Sequence, residues 1–265
     1  LTSVSQIQKM VAYLLIPMGA VMLMTMLRHI AEGFSFESIN QHLYPFFRNH
    51  VNYGAMLACL WVIAFVAYLQ SNTSQPQRRW LKWLLLIGVI ALIFSYSRGA
   101  WLSLIAAGII VWVIRKKGIS LLIALAVLTV LISTVWLATD KRYFRFAPDH
   151  DRTIFHTDFS QHMSATIALK DVSNAERFYR WVAGARMFAE KPLTGFGPST
   201  FYASYKPYTV KRFETWVSNN PEHSTVHNYF LLTALEQGVI GLVIFCGLYF
   251  GMLWRIQYLY HHLHN

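Results

Sequence analysis

Long apolar runs separated by short polar connections dominate this chain. A strand-like alternation of apolar and polar positions is not the pattern. A helix needs about 20 mostly apolar residues to cross the hydrocarbon core of a bilayer. Six segments reach or approach that length: Met10–Leu27, Val51–Leu69, Trp80–Phe94, Ala100–Ile114, Ile119–Ala138 and Val226–Trp254. The third and fourth are short and meet at Ser95-Tyr-Ser-Arg-Gly99; the last has residues to spare. Trp and Tyr stand near many of the ends, as interfacial anchors do. The pattern predicts an all-α polytopic transmembrane protein. Residues 1–138 form transmembrane helices with short loops, 139–225 a large outer loop, and 226–265 a final span with a polar tail.

The basic residues orient the spans. Arg78, Arg79 and Lys82 share one connection, Arg115, Lys116 and Lys117 another, and Arg255 follows the last span. With alternating spans all three sets fall on one side, the cytoplasmic side by the excess of Lys and Arg. The opposite side receives residues 28–50, the turn around Arg98 and the long segment 139–225. Loops of that length escape the charge rule.

Composition narrows the classes. Hydrophobic residues make up 55% and charged residues 13%, against about 25% charged in an ordinary soluble domain. Too little polar surface remains to solvate a globule, which excludes a soluble enzyme; a disordered chain, which needs low hydrophobicity and high charge, is excluded as well. The net charge of +11 fits membrane topology and contacts with anionic lipid or phosphate; no nucleic-acid partner is expected. Cys59 and Cys246 lie in apolar runs and read as packing residues. The start at Leu1 and the His-rich end read as a piece of a longer membrane protein.

Within the outer segment, Asp149–Lys170 shows no period and reads as loop with short helices. Ser173-Asn-Ala-Glu176 has the spacing of a capping box. Phe178, Trp181, Val182, Ala185 and Phe188 then recur at helical spacing. An amphipathic helix of roughly Asn174–Glu190 follows, ended by Pro192 and the Gly195-Phe-Gly197-Pro198 turn.

Several residues could carry chemistry. Arg98 stands between two apolar runs, where a charge costs several kcal/mol and suggests function; the alternative is an interfacial Arg snorkelling to headgroups. Arg177 and Arg180 open the amphipathic helix. Arg177, expected in its first turn, would join a guanidinium fork to free N–H groups that favour an anion. Arg180 reads equally as part of a solvated face, and Arg186 as facing headgroups or water. His223 and His227, four apart, could be a metal pair with Glu222, a general base at neutral pH, or packed residues. Glu236 is a lone acid in the last apolar run; it would pair with an Arg or cap a broken helix. Gly238, Gly241, Gly247 and Gly251 read as close helix packing. His261, His262 and His264 read as solvated. Arginines without acidic metal ligands suggest that guanidinium groups handle phosphate charge. No cofactor or metal is expected.

Four stretches resemble the O-antigen ligase and Wzy-type polymerase superfamily of bacterial envelope glycosyltransferases. They are Ser95-Tyr-Ser-Arg-Gly-Ala-Trp-Leu102, Arg177-Phe-Tyr-Arg-Trp181 continuing to Pro192-Leu-Thr-Gly-Phe-Gly197, His227-Asn-Tyr-Phe-Leu231 with Glu236-Gln-Gly238 and Gly241, and Asn52 in Asn49-His-Val-Asn-Tyr-Gly-Ala55. The resemblance implies glycan transfer from undecaprenyl diphosphate to an acceptor hydroxyl at the periplasmic face of the bacterial inner membrane. The acceptor would be a lipid or protein for a ligase, or another carrier-linked glycan for a polymerase. Arg98 and Arg177, with Arg180, would bind the donor diphosphate. His227 would orient or deprotonate the acceptor. Asn52, Asn228, Glu236 and His223 would support the site. The reaction would be metal-independent and inverting. A transporter for an anion or other solute, with Arg98 as a pore charge, is the alternative from another class.

Overall fold

A computed structural model describes residues 3–71, 76–148, 172–221 and 223–263. The loop expected at Asp149–Lys170, Glu222 and His264 lie outside the described residues. Among the described residues the chain is helical, with no strand. It divides into two compact units, residues 1–111 and 112–265.

The first unit holds α1 (Val4–Ile30), α2 (Ile39–His42), α3 (His50–Gln70), α4 (Pro76–Phe94) and most of α5 (Arg98–Arg115). Local chemistry starts two of these helices. Ser3 and Gln6 form a reciprocal capping box on α1. Asn49 caps α3, its Oδ1 accepting from the Asn52 N–H at 2.9 Å. The core of the unit gathers Met22, Leu43, Tyr53, Leu57, Ala91 and Leu92. Polar groups inside it are paired: the Thr25 and Tyr53 hydroxyls meet at 3.0 Å, and Trp61 Nε1 donates to the Leu85 carbonyl at 3.2 Å.

The second unit holds the end of α5, α6 (Ile119–Ala138), a 3₁₀ segment (Thr139–Phe146), α7 (Val172–Glu190), the short α8 (Phe201–Ser204) and α9 (Tyr229–Leu263). Lys117 takes a left-handed backbone (φ 57°) and the Gly118 N–H returns to the Val113 carbonyl at 2.9 Å, ending α5. Gln257 Oε1 accepts from the Ile119 N–H at 3.0 Å, and His261 Nε2 meets the Ile114 carbonyl at 2.9 Å. The far end of α9 therefore lies at the α5–α6 turn, so Arg115, Lys116, Lys117 and Arg255 share one end of this unit. His261 is half-buried there, a correction to its reading as solvated. It belongs to α9, which continues through the expected polar tail to Leu263.

Among the described residues, five helices, α1, α3, α5, α6 and α9, are long and apolar enough to cross a membrane. The remaining expected span is α4, whose first two turns carry Arg78, Arg79 and Lys82 and leave a shorter apolar stretch. Large apolar side chains cover the outside of the spans. In α6 only Ile119 is buried, while Leu121, Val130 and Val135 are more than half exposed. An apolar surface this continuous is stable against lipid and unfavourable against water.

The amphipathic helix is present, with two corrections. It already includes Val172, so Ser173 is inside it and the capping box does not form. Its buried face is Ala175, Glu176, Tyr179, Arg180, Ala183, Gly184 and Met187. The expected residues Phe178, Trp181, Val182 and Phe188 are half-buried at the flank, and Ala185 is exposed. The small residues face inward because α7 approaches α9 closely: a side chain at Gly184 would meet Leu231, Leu235 and Val226. Bulk sets hydrophobicity, but close packing selects the small residues.

Candidate functional site

The motif residues of the second unit are held by an interlock between the turn after α7 and a break in α9. Gly238 (φ 69°, ψ −169°) interrupts α9. The Val239 N–H then donates to the Pro192 carbonyl at 2.7 Å, the Phe196 N–H to Leu235 at 3.0 Å and the Gly197 N–H to Glu236 at 2.8 Å. Gly195 (φ 69°) faces the Glu236 backbone and Gly238 faces the Leu193 backbone, each so closely that a Cβ would overlap it. Only glycine fits both conformation and space. The Glu236 carboxylate, 8% exposed, accepts from the Ser199 N–H at 2.9 Å and the Phe201 N–H at 3.1 Å. It caps the start of α8, where a carboxylate satisfies orphan donors. The expected glycine packing is corrected accordingly: Gly238 makes the break, Gly241 sits against Gln237, and Gly247 and Gly251 face open space.

The same scaffold sets His227 beside α7. Trp181 Nε1 donates to the Val226 carbonyl at 2.9 Å, tying the middle of α7 to the residue before His227. On the other side, Asn228 caps α9, its Oδ1 accepting from the Leu231 N–H at 3.1 Å. Val226, His227 and Asn228 thus precede the helix instead of opening it. His227 is exposed and takes a left-handed backbone (φ 55°), rare for a residue with a Cβ. Partial burial, then the positive charges of Arg180 and Arg177, hold its imidazole below the ordinary histidine range. The ring is open to solvent, so water tempers each influence.

The two arginines differ. Arg177 is exposed, and its side chain makes no hydrogen bond or ion pair among the described residues. It lies in the second turn of α7, so the expected help from free N–H groups of the first turn is not available. Arg180 is 7% exposed; its Nη2 meets Glu176 Oε2 at 3.0 Å, and its Nε is buried without a partner. The reading of Arg180 as part of a solvated face is corrected. Arg186 is exposed, with Nη1 3.5 Å from the Tyr208 carbonyl.

Arg98 and Asn52 belong to the first unit. Tyr96 takes a left-handed backbone (φ 54°), and Trp101 Nε1 and the Ser95 hydroxyl both donate to the Leu92 carbonyl, at 2.6 and 2.7 Å. This closes the turn between α4 and α5 and makes Arg98, half-buried, the first residue of α5. Gly54 of α3 packs directly on Ser97, which brings the exposed Asn52 and Arg98 to the same end of that unit. His223 is exposed and stacks on Tyr202 with centroids 3.9 Å apart. Among the described residues no group of three or more His, Cys, Asp or Glu is placed to hold a metal ion.

Beyond Asn228 and Glu236, this cluster is supported by further residues to which sequence reading assigned no such role. Glu176 reads locally as a capping residue, yet it accepts from Thr215 and Ser218. Asn220, 2% exposed, clamps the Ser224 backbone through both ends of its amide, at 2.8 and 2.9 Å. Trp181 carried only a motif. Glu176 and Trp181 bond to residues about 40 positions away, and no local pattern encodes such pairs.

The fold is helical, with several helices long and apolar enough to span a membrane, and Arg177, Arg180 and His227 belong to the unit that ends in the last of them. The sequence model of the O-antigen ligase family matches residues 83–246, more than half of the chain, and the chain belongs to that family. Its function is accordingly of the O-antigen ligase or polymerase type, a glycosyltransferase-like activity on lipid-linked glycans at a membrane. The matched stretch includes Arg98, Arg177, Arg180, His227 and Glu236. No characterised protein and no solved structure gives a significant match.

Proposed function

We propose that the chain is a ligase that transfers a glycan from undecaprenyl diphosphate to an acceptor hydroxyl at the periplasmic face of the inner membrane. What supports this most is that Arg177, exposed and unpaired among the described residues, and the exposed His227 lie on neighbouring segments of the family-matched stretch, where Trp181 of α7 bonds the residue before His227. In this reading Arg177 receives the diphosphate through its guanidinium fork. Arg180, held behind it, adds positive charge where the leaving group gains negative charge. Arg98, in the other unit, carries the same role on the resemblance alone, and Arg98→Ala tests it separately.

His227 takes the proton of the acceptor hydroxyl as its oxygen attacks the anomeric carbon. The new carbon–oxygen bond forms as the bond to the phosphate oxygen breaks, and the electron pair leaves with the diphosphate. Attack opposite the leaving group inverts the anomeric centre. Guanidinium groups in place of a divalent ion neutralise the diphosphate in this mechanism. Asn228 and Glu236 hold the backbone that presents His227 and the turn after α7; His223 and Asn52 stand at the rim of their units.

The test uses the full-length protein in lipid with a polyprenyl-diphosphate glycan, candidate acceptors and EDTA, followed by mass spectrometry. His227→Ala is expected to lose about 10²–10⁴-fold, the usual worth of a positioned base. Arg177→Ala is expected to lose about 10²–10³-fold, as for removal of a single donor to a developing anion. Unchanged turnover in both variants would overturn the proposal. A single product shift marks a ligase and a ladder of products a polymerase. Solute uptake without a lipid carrier, indifferent to His227→Ala, would mark a transporter.

A further inference from the structure

Behind the cluster, a buried network ties α7 to the loop that follows α8. Glu176, 5% exposed, accepts Arg180 Nη2 on Oε2 at 3.0 Å. Its Oε1 accepts the Thr215 hydroxyl at 2.6 Å and the Ser218 hydroxyl in a shorter contact. Ser218 is 1% exposed and its Oγ also accepts from the Thr215 N–H at 2.9 Å, while Lys206 Nζ donates to the Ser218 carbonyl at 2.8 Å. Both carboxylate oxygens are therefore fixed, and the loop carrying Thr215 and Ser218 is fixed with them.

A buried pair could serve packing alone. An arginine buried for that purpose normally has its buried donors satisfied, frequently in a bidentate pair with the carboxylate. Arg180 instead meets Glu176 through one nitrogen. Its Nη1 makes no hydrogen bond among the described residues, and its Nε is buried without a partner. The carboxylate holds the guanidinium by one corner, one residue before Trp181, whose indole N–H bonds the Val226 carbonyl next to His227.

We propose that Glu176, clamped by Thr215 and Ser218, is a positioning residue that fixes Arg180 beside His227. Its geometry stands by itself; its consequence for turnover rests on the glycan-transfer reading. Among the described residues, the charged groups that act on His227 are Arg180 and Arg177, both on α7. Removing the Glu176 charge leaves a buried cation without compensation, which the fold relieves by moving Arg180 out.

Two readouts test this. The first is the titration of His227, followed by its ring signals in isotopically labelled full chain in nanodiscs, with His227→Ala for assignment. Arg180→Gln is expected to raise the His227 pKa, and Glu176→Gln to raise it likewise, because Arg180 leaves its place. A pKa unmoved or lowered in Glu176→Gln means that Arg180 stays without its carboxylate, and overturns the proposal. Should Glu176→Gln fail to fold, Ser218→Ala loosens the carboxylate while keeping both charges; a smaller rise supports the proposal and no rise overturns it.

The second readout is transfer. Glu176→Gln is expected to lose about a hundredfold, the scale of a small misplacement near the chemistry. The Glu176→Gln/Arg180→Gln double variant is expected to lose no more than Arg180→Gln alone, since residues acting as a unit are not additive. Losses that multiply would make Glu176 independent of Arg180 and overturn the proposal. If the wild type transfers no glycan while the titration shifts as expected, the glycan-transfer reading fails and the positioning role stands.

Discussion

At the scale of single residues, the environment of His227 has a direct consequence for pH dependence. Its imidazole is held below the ordinary histidine range by partial burial and by the charges of Arg180 and Arg177, which favours the neutral form that can act as a base. As pH falls through that lowered pKa the base is protonated, and kcat/KM declines. The acid limb is therefore expected at lower pH than an unperturbed histidine would give, since kcat/KM reports groups of the free enzyme. Arg177→Gln removes one of the charges that disfavour the imidazolium and should move the limb upward. A limb that stays in place would remove Arg177 from the surroundings of His227. Asn228 invites a different test, because its side chain caps α9. Asn228→Ala is expected to cost about 1 kcal/mol of stability, whereas Asn228→Ser keeps a capping oxygen and should restore most of it. Thermal unfolding in detergent measures both.

At the scale of elements, the interlock between the Pro192–Gly197 turn and the α9 break positions the site more than any single helix does. Gly195 and Gly238 each combine a left-handed backbone with direct approach to another segment's backbone. Gly238→Ala should cost at least about 1–3 kcal/mol from conformation alone, with the overlap on Leu193 added. Accelerated proteolysis between α7 and α9 would report the loosened turn; an unchanged cleavage rate would mean that the turn holds without the interlock. The presence of the amphipathic helix was legible, because its apolar residues recur at helical spacing. Its start, buried face and use of Glu176 were not. Ser173 and Glu176 have the spacing of a cap, but Glu176 gains three charge-assisted or hydroxyl hydrogen bonds in the interior. That outweighs one cap bond at a helix start.

At the scale of the whole molecule, solvent is the organising fact. Spans whose outer faces carry Leu, Val and Ile without polar relief are stable only where lipid covers them. The basic connections and the alternation of spans give a topology that labelling can test. In a Cys59→Ala/Cys246→Ala background, single cysteines at Lys116 and Arg255 should react with an impermeant reagent only after the cytoplasmic side is opened. A cysteine at Lys211 should react in intact spheroplasts. Reaction of Lys116 and Arg255 from opposite sides would contradict the shared end seen in the second unit.

By itself, the sequence determined the helical class, the places of most of the long apolar helices and the motifs that mark the family. These follow from apolar run length, loop charge and short-range spacing, all properties of neighbouring residues. Tertiary structure alone decided that Glu236 caps a distant segment, that Arg180 is buried on Glu176 while Arg177 is exposed, and that Trp181 sets the backbone before His227. The Glu236 and Trp181 contacts are hydrogen bonds between residues far apart in the chain, and Arg180, though only four residues from Glu176, is buried with a carboxylate that distant Thr215 and Ser218 draw inward. Such a partner is chosen by packing, which no local pattern records.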